Sequence, residues 1–177
     1  MTRQRITQAA IDLHGSVGPA KTTVSGVAER AGVQRATVYR HFPDERSLFA
    51  ACSAHWIAAN PLPDPGAWAR IANPDERLRT ALLELYAWFD ETEYMLERVS
   101  RDAAVVPAMA EPVARTAAYF KQVVEVLMIG RRERGTVRNL NRAAISHALA
   151  FETWRSLVRR NGLSRDAAVE LVVRLAD

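Results

Sequence analysis

Gly32 divides two short stretches that both carry apolar residues at helical spacing, and this arrangement constrains the chain more than any other feature in it. Before the glycine, Val24, Val27, Ala28 and Ala31 recur at i, i+3, i+4 and i+7, and Thr22-Thr23 offers a hydroxyl to cap that helix. After it, Arg35 to His41 reads as a second short helix, stopped by Pro43. A glycine suits the left-handed residue that ends a helix, and small Ala28 and Ala31 let two helices cross closely. The outward face of the second helix holds Gln34, Arg35, Thr37, Tyr39, Arg40 and His41, with no acid among them. Such hydrogen-bonding and cationic groups can reach base edges and phosphates in a DNA major groove. In isolation a polar face this short would read as a solvated surface helix. The glycine turn, the flanking helices and the local charge favour DNA binding instead.

Residues 1–55 carry seven basic side chains (Arg3, Arg5, Lys21, Arg30, Arg35, Arg40, Arg46) against four acids (Asp12, Glu29, Asp44, Glu45). Residues 56–177 hold 17 basic and 16 acidic groups, so most of the net charge of +4 lies in the first third of the chain. That asymmetry suits an anionic partner, with nucleic acid the first candidate. With 49% hydrophobic residues the chain can bury a core, which excludes a disordered protein. No apolar run approaches the roughly 18–20 residues of a membrane span, and polar Thr7-Gln8 after Ile6 leaves no signal-peptide stretch. The single cysteine, Cys52, can neither close an internal disulfide nor build a multi-cysteine metal site. A cytoplasmic protein without membrane contact is expected.

Helical periodicity runs from end to end. Ile6, Ala9, Ala10, Leu13 and Val17 form one stripe of a first helix, punctuated by Gly15, Gly18 and Pro19. Asp44 is placed to cap a fourth helix carrying Leu48, Phe49, Cys52 and Trp56. Three prolines and a glycine between Asn60 and Gly66 mark a junction. Beyond it, helices are expected from Asn73 through Phe89, about Tyr94–Asp102, about Val113–Gly130, about Asn141–Asn161 and Arg165–Ala176. Gly162 and Ser164 separate and cap the last two. The expected fold class is all-α.

Residues 2–50 resemble the N-terminal DNA-binding domain of the TetR/AcrR family of bacterial transcription regulators. An amphipathic first helix is followed in order by Ala20-Lys21-Thr22-Thr23-Val24, Ala28-Glu29-Arg30-Ala31-Gly32-Val33 and Arg35-Ala36-Thr37-Val38-Tyr39-Arg40-His41-Phe42-Pro43. The resemblance covers a little over a quarter of the chain and is specific as an ordered set. It implies a three-helix DNA-binding bundle over residues 1–50, with the helix-turn-helix at about 23–42. A helical effector-binding and dimerisation domain would follow over residues 51–177. On the matching positions it makes Thr37, Tyr39 and His41 groove or phosphate contacts, and Thr23 a phosphate contact. Gln34 and Arg35 stand at the helix entrance, where base readout is usual. Two positions depart from the family pattern. Gln34 replaces the usual Ser or Thr, which weakens the helix cap and leaves two outcomes: a recognition helix mobile without DNA, or a Gln that reads an adenine edge. Glu45 replaces a phosphate-binding Lys, so either neighbouring Arg46 substitutes or the contact is lost; Arg46 is the expectation.

The second half matches the family's divergent regulatory domains more loosely. Its last two predicted helices are apolar over more than the roughly 100° stripe needed to pack on their own core. Ala167, Ala168, Leu171, Val172 and Leu175 line the last helix, and Ala144, Ala148, Phe151 and Val158 line the one before it. A second copy is the economical partner for such a surplus, so a homodimer through these helices is expected. Aromatic residues concentrate here, and His147, Phe151, Trp154 and Val158 fall on one face at helical spacing. Trp88, Tyr119, His147, Phe151 and Trp154 are the candidate effector contacts, although most such side chains in a helical protein are core.

Signatures of enzymes are missing. There is no phosphate loop, no H-E-x-x-H, no G-x-S-x-G and no S-x-x-K, and the four histidines lack metal-ligand spacing. No catalytic residue, cofactor or metal is expected. Arg131-Arg132-Glu133-Arg134 reads as a solvated helix C-terminus, and Cys52 as a small buried hydrophobe. The expected function is that of a homodimeric transcription regulator, most simply a repressor released from operator DNA by a small molecule. The rival is a helical small-molecule-binding protein or enzyme whose N-terminal module is structural only.

Overall fold

The computed structural model describes residues 1–175, and every regular element among them is helical. Ten α-helices follow in order among the described residues: α1 (Thr2–Ser16), α2 (Val24–Ala31), α3 (Arg35–His41), α4 (Glu45–Ala59), α5 (Pro65–Ala69), α6 (Pro74–Asp102), α7 (Ala110–Leu127), α8 (Gly135–Ala148), α9 (Phe151–Trp154) and α10 (Arg165–Leu175). The chain divides into two compact units. The first comprises Met1–Pro61 with Thr92–Thr116, and the second Leu62–Glu91 with Ala117 onward. No helix among the described residues is long and apolar enough to cross a membrane.

In the first unit, α1 buries Ile6, Ala9, Ala10 and Ile11. Thr7 and His14 are also buried, while Val17, expected on the stripe, is 41% exposed because the helix ends before it. Local chemistry sets the next boundaries. Thr23 caps α2 by accepting from the Gly26 N–H at 3.1 Å. Gly32, at φ +63°, closes α2 in a Schellman motif: its own N–H donates to the Glu29 carbonyl and the Val33 N–H to the Ala28 carbonyl. Asp44 and Ser47 form a reciprocal capping box at the start of α4. Val27, Ala28, Ala31, Val38, Phe42, Phe49 and Cys52 join the buried face of α1 as one core. The Cys52 thiol donates weakly to the Thr7 carbonyl at 3.6 Å, and burial pushes its pKa up to about 12, so it is a core hydrophobe as expected.

The end of α6 also belongs to this unit. Arg98 donates to the Ser16 carbonyl at 2.8 Å and Arg101 to the Val17 carbonyl at 3.1 Å, which satisfies the last turn of α1. Buried Asp102 accepts from the Ala20 N–H at 2.9 Å and from Arg101, whose hydrogen bond holds its carboxyl below the usual range. Gly18, at φ +96°, permits this approach: a Cβ there would lie 2.1 Å from an Arg101 nitrogen.

The second unit is built on the first part of α6, which buries Leu78, Ala81, Leu82, Leu85, Tyr86 and Phe89. α7 contributes Val123, Val124 and Leu127; α8 contributes Ile145 and Ala148; α10 contributes Ala168, Val169, Val172 and Val173. Three expectations need correction. The segments predicted as separate helices through Phe89 and over Tyr94–Asp102 are one 29-residue helix, α6. The polar run Asp90-Glu91-Thr92-Glu93 interrupts the apolar pattern without interrupting the backbone. The helix predicted over Asn141–Asn161 starts earlier and breaks at Leu149–Ala150, where the Thr153 hydroxyl donates to the His147 carbonyl at 2.6 Å. Past α9 the backbone widens to a π-helical turn over Arg155–Arg160. Arg131, expected to be solvated, has a side chain only 5% exposed that pairs with Asp75 at 2.9 Å. Ala176, the predicted end of the last helix, lies outside the described residues.

Candidate nucleic-acid interface

The two helices on either side of Gly32 are short because their ends are fixed locally, and α3 is held by what it buries. Val38 and Phe42 are each 1% exposed and anchor it to the first core. At about 100° per residue, Ala36 and Arg40 then fall roughly opposite Val38, with Tyr39 and Thr37 on the flanks. Gln34, Arg35, Tyr39 and Arg40 are exposed, and Thr37 and His41 are half-buried. Tyr39 is 44% exposed, a large ring left in water on a surface with no acid of its own. Arg35, Arg40 and Arg46 form no ion pair among the described residues. The charges of Arg35 and Arg40 therefore have no carboxylate partner among the described residues, and that of Arg46 helps to lower the Asp44 carboxyl.

Gln34 is the N-cap of α3 and makes no side-chain capping bond, so the loss of a short hydroxyl at this position is realised in the structure. Thr23 is engaged as the α2 cap and stays exposed. Glu45 and Arg46 are both exposed in the first turn of α4. The structure thus brings Gln34, Arg35, Thr37, Tyr39, Arg40 and His41 onto one helix, with Thr23 and Arg46 at the starts of the helices before and after it.

The candidate effector residues are less united. Phe151 stacks on Trp154 at 5.3 Å between ring centroids, and both meet Phe89, at 5.5 and 5.8 Å. Trp88 joins the cluster through Phe89 at 5.7 Å. The indole Nε1–H of Trp154 is buried without a hydrogen-bond partner among the described residues. Tyr119 lies elsewhere in the second unit: its hydroxyl donates to the Pro63 carbonyl at 2.9 Å, and burial raises its pKa. His147 is exposed and lines a hollow of about 310 Å³ with Ala150, Glu152, Thr153, Ser156 and Leu157. The break at Leu149–Ala150 removes the single face expected for His147, Phe151, Trp154 and Val158. Among the described residues no group of three or more His, Cys, Asp or Glu side chains could hold a metal ion.

Sequence reasoning passed over Arg77 and took Arg131 as solvated, because each has partners far along the chain. It also passed over Arg3, whose guanidinium carbon sits 4.6 Å from the centroid of the Phe42 ring.

The all-helical architecture and the α2–Gly32–α3 unit define a helix-turn-helix protein. Comparison with known proteins agrees. Residues 6–52 match the family of bacterial regulatory proteins named tetR. An HTH-type transcriptional repressor of Mycobacterium tuberculosis is 30% identical over 151 residues, which is 85% of this chain and 70% of that protein. An HTH-type transcriptional regulator of Mycobacterium bovis is 43% identical over 58 residues, where the match spans 33% of this chain and only 31% of the relative. Among solved structures, AibR in complex with isovaleryl coenzyme A and operator DNA superposes with a TM-score of 0.70 at 16% identity, covering 99% of this chain and 97% of that one. The chain belongs to the TetR family of bacterial transcriptional regulators.

Proposed function

We propose that this protein is a homodimeric repressor that leaves its operator when a small molecule binds its second unit. The observation that carries the reading is the surface of α3. A helix seated by buried Val38 and Phe42 presents Arg35, Tyr39 and Arg40 to solvent with no acid nearby on its own face. The repressor of Mycobacterium tuberculosis supports the sign of regulation, and AibR, with the same fold, is known bound to both an acyl-coenzyme A and operator DNA.

In this reading Gln34, Arg35, Tyr39 and Arg40 meet the groove, and Thr23, Thr37, His41 and Arg46 position the helix on phosphates. Trp88, Phe151 and Trp154 are the proposed effector contacts, supported by their shared ring cluster and by the unpartnered indole N–H. Tyr119 and His147 remain candidates apart from that cluster. The exposed stripe Ala167, Leu171 and Leu175 on α10 is the proposed dimer face. A symmetric dimer presents two copies of α3 to a pseudo-palindromic site. Effector binding would shift the population towards dimers whose recognition helices no longer match the operator. A tenfold loss of DNA affinity requires the effector to prefer that state by only about 1.4 kcal/mol. A cytoplasmic location follows from this role.

The test is DNA binding by Tyr39→Ala and Arg40→Ala, using duplexes taken from upstream of the protein's own gene. Each variant is expected to lose about tenfold in affinity, with dimerisation unchanged by analytical ultracentrifugation. Wild-type affinity in both variants would remove α3 from the interface.

A further inference from the structure

The cationic side chains of the first unit fall into two groups once their partners are known. Arg30 is paired with Asp12 at 3.1 Å, and Arg5 donates to the Ala31 carbonyl at the end of α2. Lys21 helps by its charge to lower the Asp102 carboxyl, and Arg46 does the same to Asp44. Arg35 and Arg40 make no ion pair among the described residues, as the proposed interface requires. Arg3 belongs with this second group: it is exposed and makes no ion pair among the described residues. Among the described residues its only ring contact is with Phe42, the residue that ends α3.

Nothing within its own helix favours Arg3. It stands in the first turn of α1, which contains no acid, and a cation at that end opposes the helix dipole. Arg5 shares the same turn, but closing α2 explains it. Stacking on Phe42 fixes where the Arg3 charge sits, directly beside the C-terminal end of the recognition helix that also carries Arg40 and His41.

We infer that Arg3 is a phosphate clamp: its guanidinium, held over the Phe42 ring, binds the DNA backbone next to the groove that α3 enters. The inference rests on the reading of α3 as the recognition helix. A phosphate contact carries no sequence information, so its signature is a salt dependence shared by operator and random DNA.

The experiment measures binding of the full chain to a random-sequence duplex, by fluorescence anisotropy, between about 50 and 200 mM salt. Wild type, Arg3→Gln, Arg3→Lys and Arg46→Gln are compared. Arg3→Gln is expected to make the slope of log K against log salt shallower by about 0.9 per bound copy, and Arg3→Lys to restore the wild-type slope. An unchanged slope for Arg3→Gln beside a shallower one for Arg46→Gln would overturn the clamp and leave the rest of the proposed DNA interface standing. A Lys variant no steeper than the Gln variant would mark the loss as structural and would overturn it too. No salt-dependent binding by wild type would instead sink the DNA-binding reading itself.

Discussion

Arg77 is 2% exposed, and its guanidinium meets backbone carbonyls rather than a carboxylate: those of Ile71 and Ala72 on one side, Val126 and Ile129 on the other. The cation sits at the C-terminal end of α7, where free carbonyls and the helix dipole both favour it. Arg77→Met would fill the space but strand those oxygens, and is expected to cost about 3 kcal/mol in chemical denaturation. Arg77→Lys should recover only part, since an ammonium cannot span both sets of carbonyls. His14 makes a different prediction. Burial beside Phe49 lowers its pKa to about 4, against about 6.5 in the unfolded chain. Between those values the unfolded state takes up a proton that the folded state refuses. Stability should therefore fall as pH drops from about 6.5 to about 4, by up to about 3 kcal/mol, and then stop changing on account of this group. Urea midpoints at pH 7 and pH 4.5 check this, and His14→Leu should flatten the difference.

Elements whose ends are made by neighbouring residues were legible in the sequence. Thr23, Gly32 and Asp44 each act within four residues of themselves, so α2, α3 and the start of α4 could be read directly. The break between α8 and α9 could not: Leu149-Ala150 carries neither proline nor glycine, and the stop depends on the Thr153 hydroxyl. The same limit hid Arg131, whose burial needs Asp75 from a distant turn. The candidate interface was legible for the residues on α3, and Arg3 was missed because its link to Phe42 spans nearly the whole first core. The uncapped start of α3 gives a prediction at this scale. Gln34→Ser supplies the missing acceptor and should raise stability by about 1 kcal/mol, read by denaturation and by slower amide exchange in Arg35–His41. If Gln34 also reads a base, operator affinity will fall while stability rises.

For the whole molecule, the surplus apolar surface lies on α10. Ala168, Val169, Val172 and Val173 are buried within their own unit, while Leu171 and Leu175 are 39% and 73% exposed. Leu171→Glu should give a folded monomer by light scattering with greatly weakened operator binding; a dimer of unchanged stability would move the interface elsewhere. The division of α6 between the two compact units bears on how the protein can be taken apart. Its stretch from Thr92 to Asp102 belongs with the N-terminal helices, where Arg98, Arg101 and Asp102 complete the end of α1 and the turn after it. No single cut of the chain therefore releases an intact reader of DNA. A fragment ending near residue 61 would keep α3 yet leave the Ser16 and Val17 carbonyls and the Ala20 amide without their partners. Moving α2 and α3 onto another protein with their supports intact would require carrying the end of α6 along with them.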